Sequence, residues 1–329
     1  MTDPPRRPDG PPPPRRPGSV RRTSTVLMTW PDGLGTDLHL TGRCRDLLTP
    51  VDGPPTVVDT VDLSAVTNRS RTIERITSDP ALPGLDRLVG GTAGGNLRKA
   101  IAHELPDQVE AGTPLHLLLD DLAGATLISG FAYFRRADQF PEFAETMAKN
   151  RPRMTLNICS GFRDGASSLA EDGTLSGLPQ NVAPVGPLAD PGDPMSWHPL
   201  HPPPPVAMRR ARRIDVWAEG DQIGVDSMFR DSCWDPDGSE VAVHEYRLLA
   251  TADRTTGVLL TVDAQPRVLP YVECPMAAPN AGWLVGTPLR QMRREVLERL
   301  RGEDCCTHLN DALRALAEAP ILAAALEAP

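Results

Sequence analysis

The hydrophobic and polar positions of the chain change period along its second half. Over residues 212–232, "RRIDVWAEGDQIGVDSMFRDS", apolar and polar residues alternate on both sides of Glu219-Gly220-Asp221. Period two puts successive side chains on opposite faces of a strand, and a glycine-centred break between two such runs predicts a hairpin. The runs "EVAVHEYRLLATAD" and "GVLLTVDAQPRVL" predict a second hairpin, turning across Arg254–Gly257. The period then lengthens. "CPMAAPNAGWLVG" reads as a short helix ending at Gly286. In "TPLRQMRREVLERLRG", Leu289, Met292, Val296 and Leu300 fall on one helical face, with Thr287 as N-cap, Pro288 as first helical residue and Gly302 as the stop. A last helix starts near Thr307 and carries Leu309, Ala312, Leu313 and Leu316. Strands followed by helices predict an α+β fold, an antiparallel sheet with helices packed on one face.

The first half carries a similar order of signals. "GRCRDLLT", a pair of extended segments, a proline turn, "LVGG", a helix with "NLRKAI" and then "LHLLLDDLAGA" parallel "SMFRDSCW", the second hairpin, "LVGTPLR" and "CTHLNDALRAL". Arg45-Asp46 answers Arg230-Asp231, Leu88-Val89-Gly90 answers Leu284-Val285-Gly286, and Asp120 answers Asp311. The expectation is a tandem duplication with two pseudo-symmetric halves. Residues 1–25 are a Pro/Arg-rich segment with little to bury and are expected to be a disordered tail. Residues 26–185 form the N-terminal α+β half, a degenerate copy, and 186–205 a Pro-rich linker. Residues 206–320 form the C-terminal half and 321–329 a tail.

Charge narrows the function. The net charge is −9 and the isoelectric point about 5.3, which disfavours nucleic-acid partners, since these need a basic face. No apolar run is expected to approach the roughly 18–20 residues that span a bilayer. No apolar segment follows the N-terminal arginines, so a secretory signal is not expected. The chain is expected to be cytoplasmic, with no membrane partner and a small molecule or a metal as ligand. Six cysteines are few for a disulfide scaffold in a chain of this length, so each is read as core residue, ligand or nucleophile.

The chemistry concentrates in the C-terminal half, where Cys305-Cys306-Thr307-His308 stands at the mouth of an apolar helix. His244 in a strand, Cys274 at a strand-to-helix turn, Cys306 and His308 are the expected ligands of a Zn or Fe ion, which needs about four such donors. A thiolate at a helix N-terminus has a lowered pKa, and Cys274 and Cys306 both take that position. Asp231, Glu245 and Glu273 are carboxylates near these ligands in sequence, available as a fourth ligand, as ligand support or as a base. Glu245, Glu273 and Asp311 are the candidates for proton handling. Cys44, Cys159 and Cys233 read as structural. Asp120-Asp121 reads as a solvated pair at a helix end, and Arg209–Arg213 as a solvated or salt-bridged face, with an anion grip for a carboxylate or CoA phosphate as the sharper reading.

The run from His244 to Leu316 resembles the U-type iron–sulfur cluster scaffold family in the order "HEYRLLATAD", "CPMAA", "LVGTPL" and "CCTHLNDAL". That resemblance implies ligand roles for His244, Cys274 and Cys306, with Cys305 or His308 as the fourth. Here the first ligand is His where that family has Cys. "MRRARRIDV", "FRDS", "VHEY", "VLPYVECP" and "CTHLND" resemble a bacterial family known as domain of unknown function 2889, with its Cys-Thr-His-Leu box. That resemblance brings in "LNICSGFRDG" and "SWHP" as family features and implies no reaction. Three functions are consistent with the residues. One is a metal-binding protein or metal-dependent enzyme. Another is a metal-free Cys/His thiolate enzyme acting on an acyl or CoA-type substrate. The third is a non-catalytic carrier of a metal or cluster.

Overall fold

The computed structural model describes residues 3–139, 156–176 and 181–327. Its frame is one continuous antiparallel sheet. Strands β1 (Ser19–Thr29), β2 (Leu38–Thr49), β3 (Thr56–Thr67) and β4 (Ile73–Asp79) form one meander. After a two-residue β5 (Ala183–Pro184), strands β6 (Ala207–Glu219), β7 (Gln222–Trp234), β8 (Glu240–Asp253) and β9 (Leu259–Val268) form another. The meanders join through β1 and β6, giving the order β4-β3-β2-β1-β6-β7-β8, with both β5 and β9 against β8. The two expected hairpins are β6–β7, turning at Gly220, and β8–β9.

Strand alternation gives the sheet two unlike faces. Val20, Met28, Ile214, Val216, Val225, Phe229, Tyr246 and Leu248 join the main core with the helices. These are α1 (Leu97–Glu104), α2 (Pro106–Ala111), α3 (Pro114–Ile128), α4 (Phe131–Phe134), α5 (Met292–Arg299), α6 (Thr307–Arg314) and α7 (Ala319–Ala324). The other face is closed by the Pro-rich residues 186–201. Trp197 packs with Leu188, Ala211 and Met228, and His198 bridges the hydroxyls of Thr23 and Thr25 at 2.9 and 2.8 Å. The expected linker is therefore a strap over the central strands, and the expected two halves share one sheet.

Four other expectations change. Residues 19–25 of the expected tail belong to central strand β1, and Arg15, Arg21 and Arg22 are held by Asp193, Asp215 and Asp46. The composition that reads as disorder is neutralised by carboxylates distant in sequence. The expected tail 321–329 begins inside α7 with Leu322 buried, while residues 328–329, like residues 1–2, lie outside the described residues. The stretch Pro114–Phe134 is, among the described residues, long and apolar enough by composition to cross a membrane. It is the central core helix here, packed on β1, β2 and β3. Asp120 and Asp121 lie within α3 and are buried, Asp120 paired with Arg98, Arg293 and Arg314, and Asp121 with Arg210 and Arg212.

The helix after Gly286 also starts later than its sequence suggests. Pro288 is extended, a 3-10 turn spans Leu289–Gln291, and regular helix begins at Met292. The apolar face of Leu289, Met292, Val296 and Leu300 is buried as expected, and Gly302 takes a left-handed φ of 57°.

Candidate metal centre

Three residues from three elements converge on the helix-covered face. Asp231 lies near the end of β7, and His244 is its register partner on β8. A bulge follows them, with the register shifting between Asp231 and Ser232, and a bulge re-aims side chains locally. His308, in the first turn of α6, lies over the pair.

The ligand atoms of Asp231, His244 and His308 all lie within 4.8 Å of one another, and no other such group of three occurs among the described residues. His244 Nδ1 is 3.8 Å and His308 Nε2 3.9 Å from the same oxygen, Asp231 Oδ2. These separations are too long for hydrogen bonds. They suit atoms facing each other across one ion, whose bonds to nitrogen and oxygen run about 2.0–2.2 Å. The two imidazole rings stack with centroids 3.4 Å apart and planes 12° from parallel. Aromatic rings ordinarily avoid a face-to-face sandwich and keep centroids about 4.5–7 Å apart. His244 Nδ1 is buried and has no hydrogen-bond partner.

Electrostatics keeps both rings neutral. Burial drives His308 down to about 3, with the Arg210 guanidinium adding to the effect. Burial, and then His308, hold His244 well below the usual histidine range against the opposing pull of Asp231. Arg210 clamps Asp231, donating from Nε and Nη2 to its two oxygens at 2.8 and 3.0 Å. A carboxylate offers about four lone-pair positions, so this bidentate clamp leaves room for a further bond. Arg210 also reaches Asp311 at 3.0 Å and stacks over Phe229, whose ring is 6.4 Å from that of His308.

The other expected site residues are distributed differently. Cys274 opens a 3-10 segment, Cys274–Leu284, and Cys306 is the N-cap of α6. Both thiols lie within electrostatic range of Tyr246, two residues along β8 from His244 and on the same face. Glu245 follows His244 directly, so it projects from the opposite face, where Arg230 holds it at 2.7 Å and the Asp9 N–H donates to it at 2.5 Å. Glu273 accepts from the Ser167 N–H and hydroxyl at 2.9 and 2.8 Å. Asp311 alone of the three expected proton-handling carboxylates shares a partner, Arg210, with the centre. Burial opposes its charge, but Arg98, Arg210 and Arg212 hold its carboxyl below the usual range.

The expectation of acidified thiols is reversed. Burial pushes Cys274 well above the ordinary thiol range, Cys159 up to about 12 and Cys305 up to about 11. Cys306 is raised as well, although Tyr246 and the N–H groups of Leu309 and His308 favour its anion. Desolvation outweighs the helix end here. The arginines of β6 are engaged internally. Arg210 and Arg212 meet carboxylates under the helices, and Arg213 meets Asp215 and Asp226 on the strap face. Cys159, read as structural from the sequence, lies near Cys274 and Cys306 through tertiary packing alone; its stretch "CSGF" stood out only through the resemblance.

Known proteins add one finding. No curated protein and no solved structure matches the chain. The model of a family described as protein of unknown function (DUF2889) matches residues 208–322, from β6 through α7. This match supports the DUF2889 family for the stretch that carries Asp231, His244 and His308.

Proposed function

We propose that the protein binds a divalent metal ion, Zn or Fe, through Asp231, His244 and His308. The observation that carries this reading is the convergence of two neutral imidazole nitrogens on one carboxylate oxygen, with His244 Nδ1 buried and unpartnered. Two histidines and a carboxylate with further coordination positions free are a donor set used for non-haem Fe(II) and, with water in the fourth position, for Zn. The Arg210 clamp orients Asp231 as an outer partner orients a ligand. Bound metal would supply Lewis acidity or an activated water. The chain's own part is to fix the three donors in a largely dry site, with the His308 side chain, 17% exposed, at its mouth. The same donors serve an enzyme or a carrier.

The Cys306-Thr307-His308-Leu309 box contributes one ligand to this reading, and the six buried free thiols suit a reducing, cytoplasmic setting. A tandem duplication also belongs to the proposal. Asp46 and Asp59 pair at a bulge in β2–β3, as Asp231 and His244 pair at the bulge in β7–β8, and Arg22 clamps Asp46 as Arg210 clamps Asp231. Asp59 stands where the C-terminal half has His244, so the N-terminal copy lacks that ligand.

Calorimetric titration of metal-free protein with Zn²⁺ tests the reading. Wild type should bind one equivalent at this centre, and His244→Ala should bind that equivalent at least tenfold more weakly. Equal affinity in the two would exclude His244 as a ligand.

A further inference from the structure

Four of the six cysteines gather beside the His/Asp centre, and that centre uses none of them. They come from three segments: Cys159 before a 3-10 turn at Ser160–Phe162, Cys274 after β9, and Cys305-Cys306 before α6. Ser160 clips the segments together. Its N–H donates to the Cys305 carbonyl at 2.7 Å and its hydroxyl to the Cys274 carbonyl at 3.4 Å. Gly161 leaves the space between two of the thiols open. A Cβ at that position would lie 2.8 Å from Cys274 Sγ and 3.9 Å from Cys159 Sγ, so a side chain there would collide with the first. Cys306 lies within electrostatic range of both thiols. Cys305 is turned to another use, donating to the Ile158 carbonyl at 3.4 Å.

A second observation points to a ligand. The Tyr246 hydroxyl is fully buried and has no partner at normal hydrogen-bond geometry. Its interaction is with the Cys306 thiol, and sulfur is a weak acceptor. A buried donor left this way is destabilising, whereas a donor to a thiolate gains a charge-assisted bond.

We propose that Cys159, Cys274 and Cys306 form a second metal site, distinct from the His/Asp centre, that takes one thiophilic cation such as Zn²⁺, Cd²⁺ or Cu⁺. Tyr246 donates its O–H to the Cys306 sulfur. The three thiols stand wider apart than the His/Asp donors and close on the ion by side-chain rotation. Each S–H bond gives its proton to solvent as the S–metal bond forms, so three protons leave and no electron is transferred.

The test is a Cd²⁺ titration of reduced, metal-free, full-length protein, followed by the ultraviolet charge-transfer absorption of thiolate-bound cadmium. Wild type should develop the band with one equivalent, and so should His244→Ala/His308→Ala and Cys233→Ser. Cys159→Ser and Cys274→Ser should each lose it or bind at least tenfold more weakly. Tyr246→Phe, which keeps the ring packing, should weaken binding about tenfold, in the range of a lost outer partner. Absence of the band in the wild type, its persistence in both cysteine variants, or its loss in the histidine variant would overturn the proposal. The wild-type and histidine-variant results do not depend on how the cysteine variants fold.

Discussion

Individual arginines of this chain behave as core residues. Arg22 is buried, bidentate to Asp46, and reaches Glu318 and the Gly112 carbonyl. Asp46 and the Glu318 interaction outweigh burial and raise its pKa further above the usual arginine range. Removing one partner of such a cluster strands the others in a dry site. Arg22→Ala is expected to cost about 3–5 kcal/mol in chemical denaturation; a loss below about 1 kcal/mol would contradict the buried pairing. His198 is one of several buried histidines that give a pH dependence. Burial, reinforced by Arg45 and Arg43, pushes it down to about 3, against about 6.5 when unfolded. The unfolded chain therefore binds more protons between these values, and stability is full above about 6.5 and falls as pH drops toward 3. His198→Gln should flatten that slope, and an unchanged slope from pH 6.5 to 4 would contradict the assignment. None of this pairing can be read along the sequence, because Arg22 meets Glu318 and His198 meets Thr23 only in the folded chain.

At the scale of elements, alternation and glycine turns are the most legible signals. The two C-terminal hairpins follow from alternation and their glycine turns. The Leu-Val-Gly match is also structural. The Gly90 N–H donates to the Ile73 carbonyl and the Ile73 N–H to the Gly91 carbonyl, both at 2.8 Å. In the other half, Gly286 donates to the Leu259 carbonyl and Leu259 to the Thr287 carbonyl, both at 2.9 Å. Gly90 and Gly286 have φ of 84° and 86°, where a Cβ is strained although nothing crowds it. Gly286→Ala is expected to cost about 1–2 kcal/mol from conformation alone. Equal stability to wild type in urea unfolding would show that the turn relaxes. Asp231 was legible only as one of several carboxylates, because its meeting with His244 depends on strand register and the bulge. The helix-end argument for acidic thiols failed because burial, which the sequence does not display, dominates.

Across the whole molecule, the sheet and its charges make the halves interdependent. The β1–β6 pair runs through the centre of the sheet, Arg210 and Arg212 from one half meet Asp121 from the other, and Arg22 meets Glu318 in return. Residues 206–327 alone would expose the full β6 edge and leave two buried arginines short of a carboxylate. That fragment is expected not to fold as a monomer, by circular dichroism and sedimentation; a stable monomer with native strand content would contradict the single-sheet account. The measurement that bears most directly on the metal centre is elemental analysis of anaerobically purified wild type and of His244→Ala/His308→Ala. The account predicts about one more Zn or Fe per chain in wild type than in the variant. Equal metal in both proteins, or no metal taken up by wild type supplied with Zn²⁺ and Fe²⁺, would contradict it.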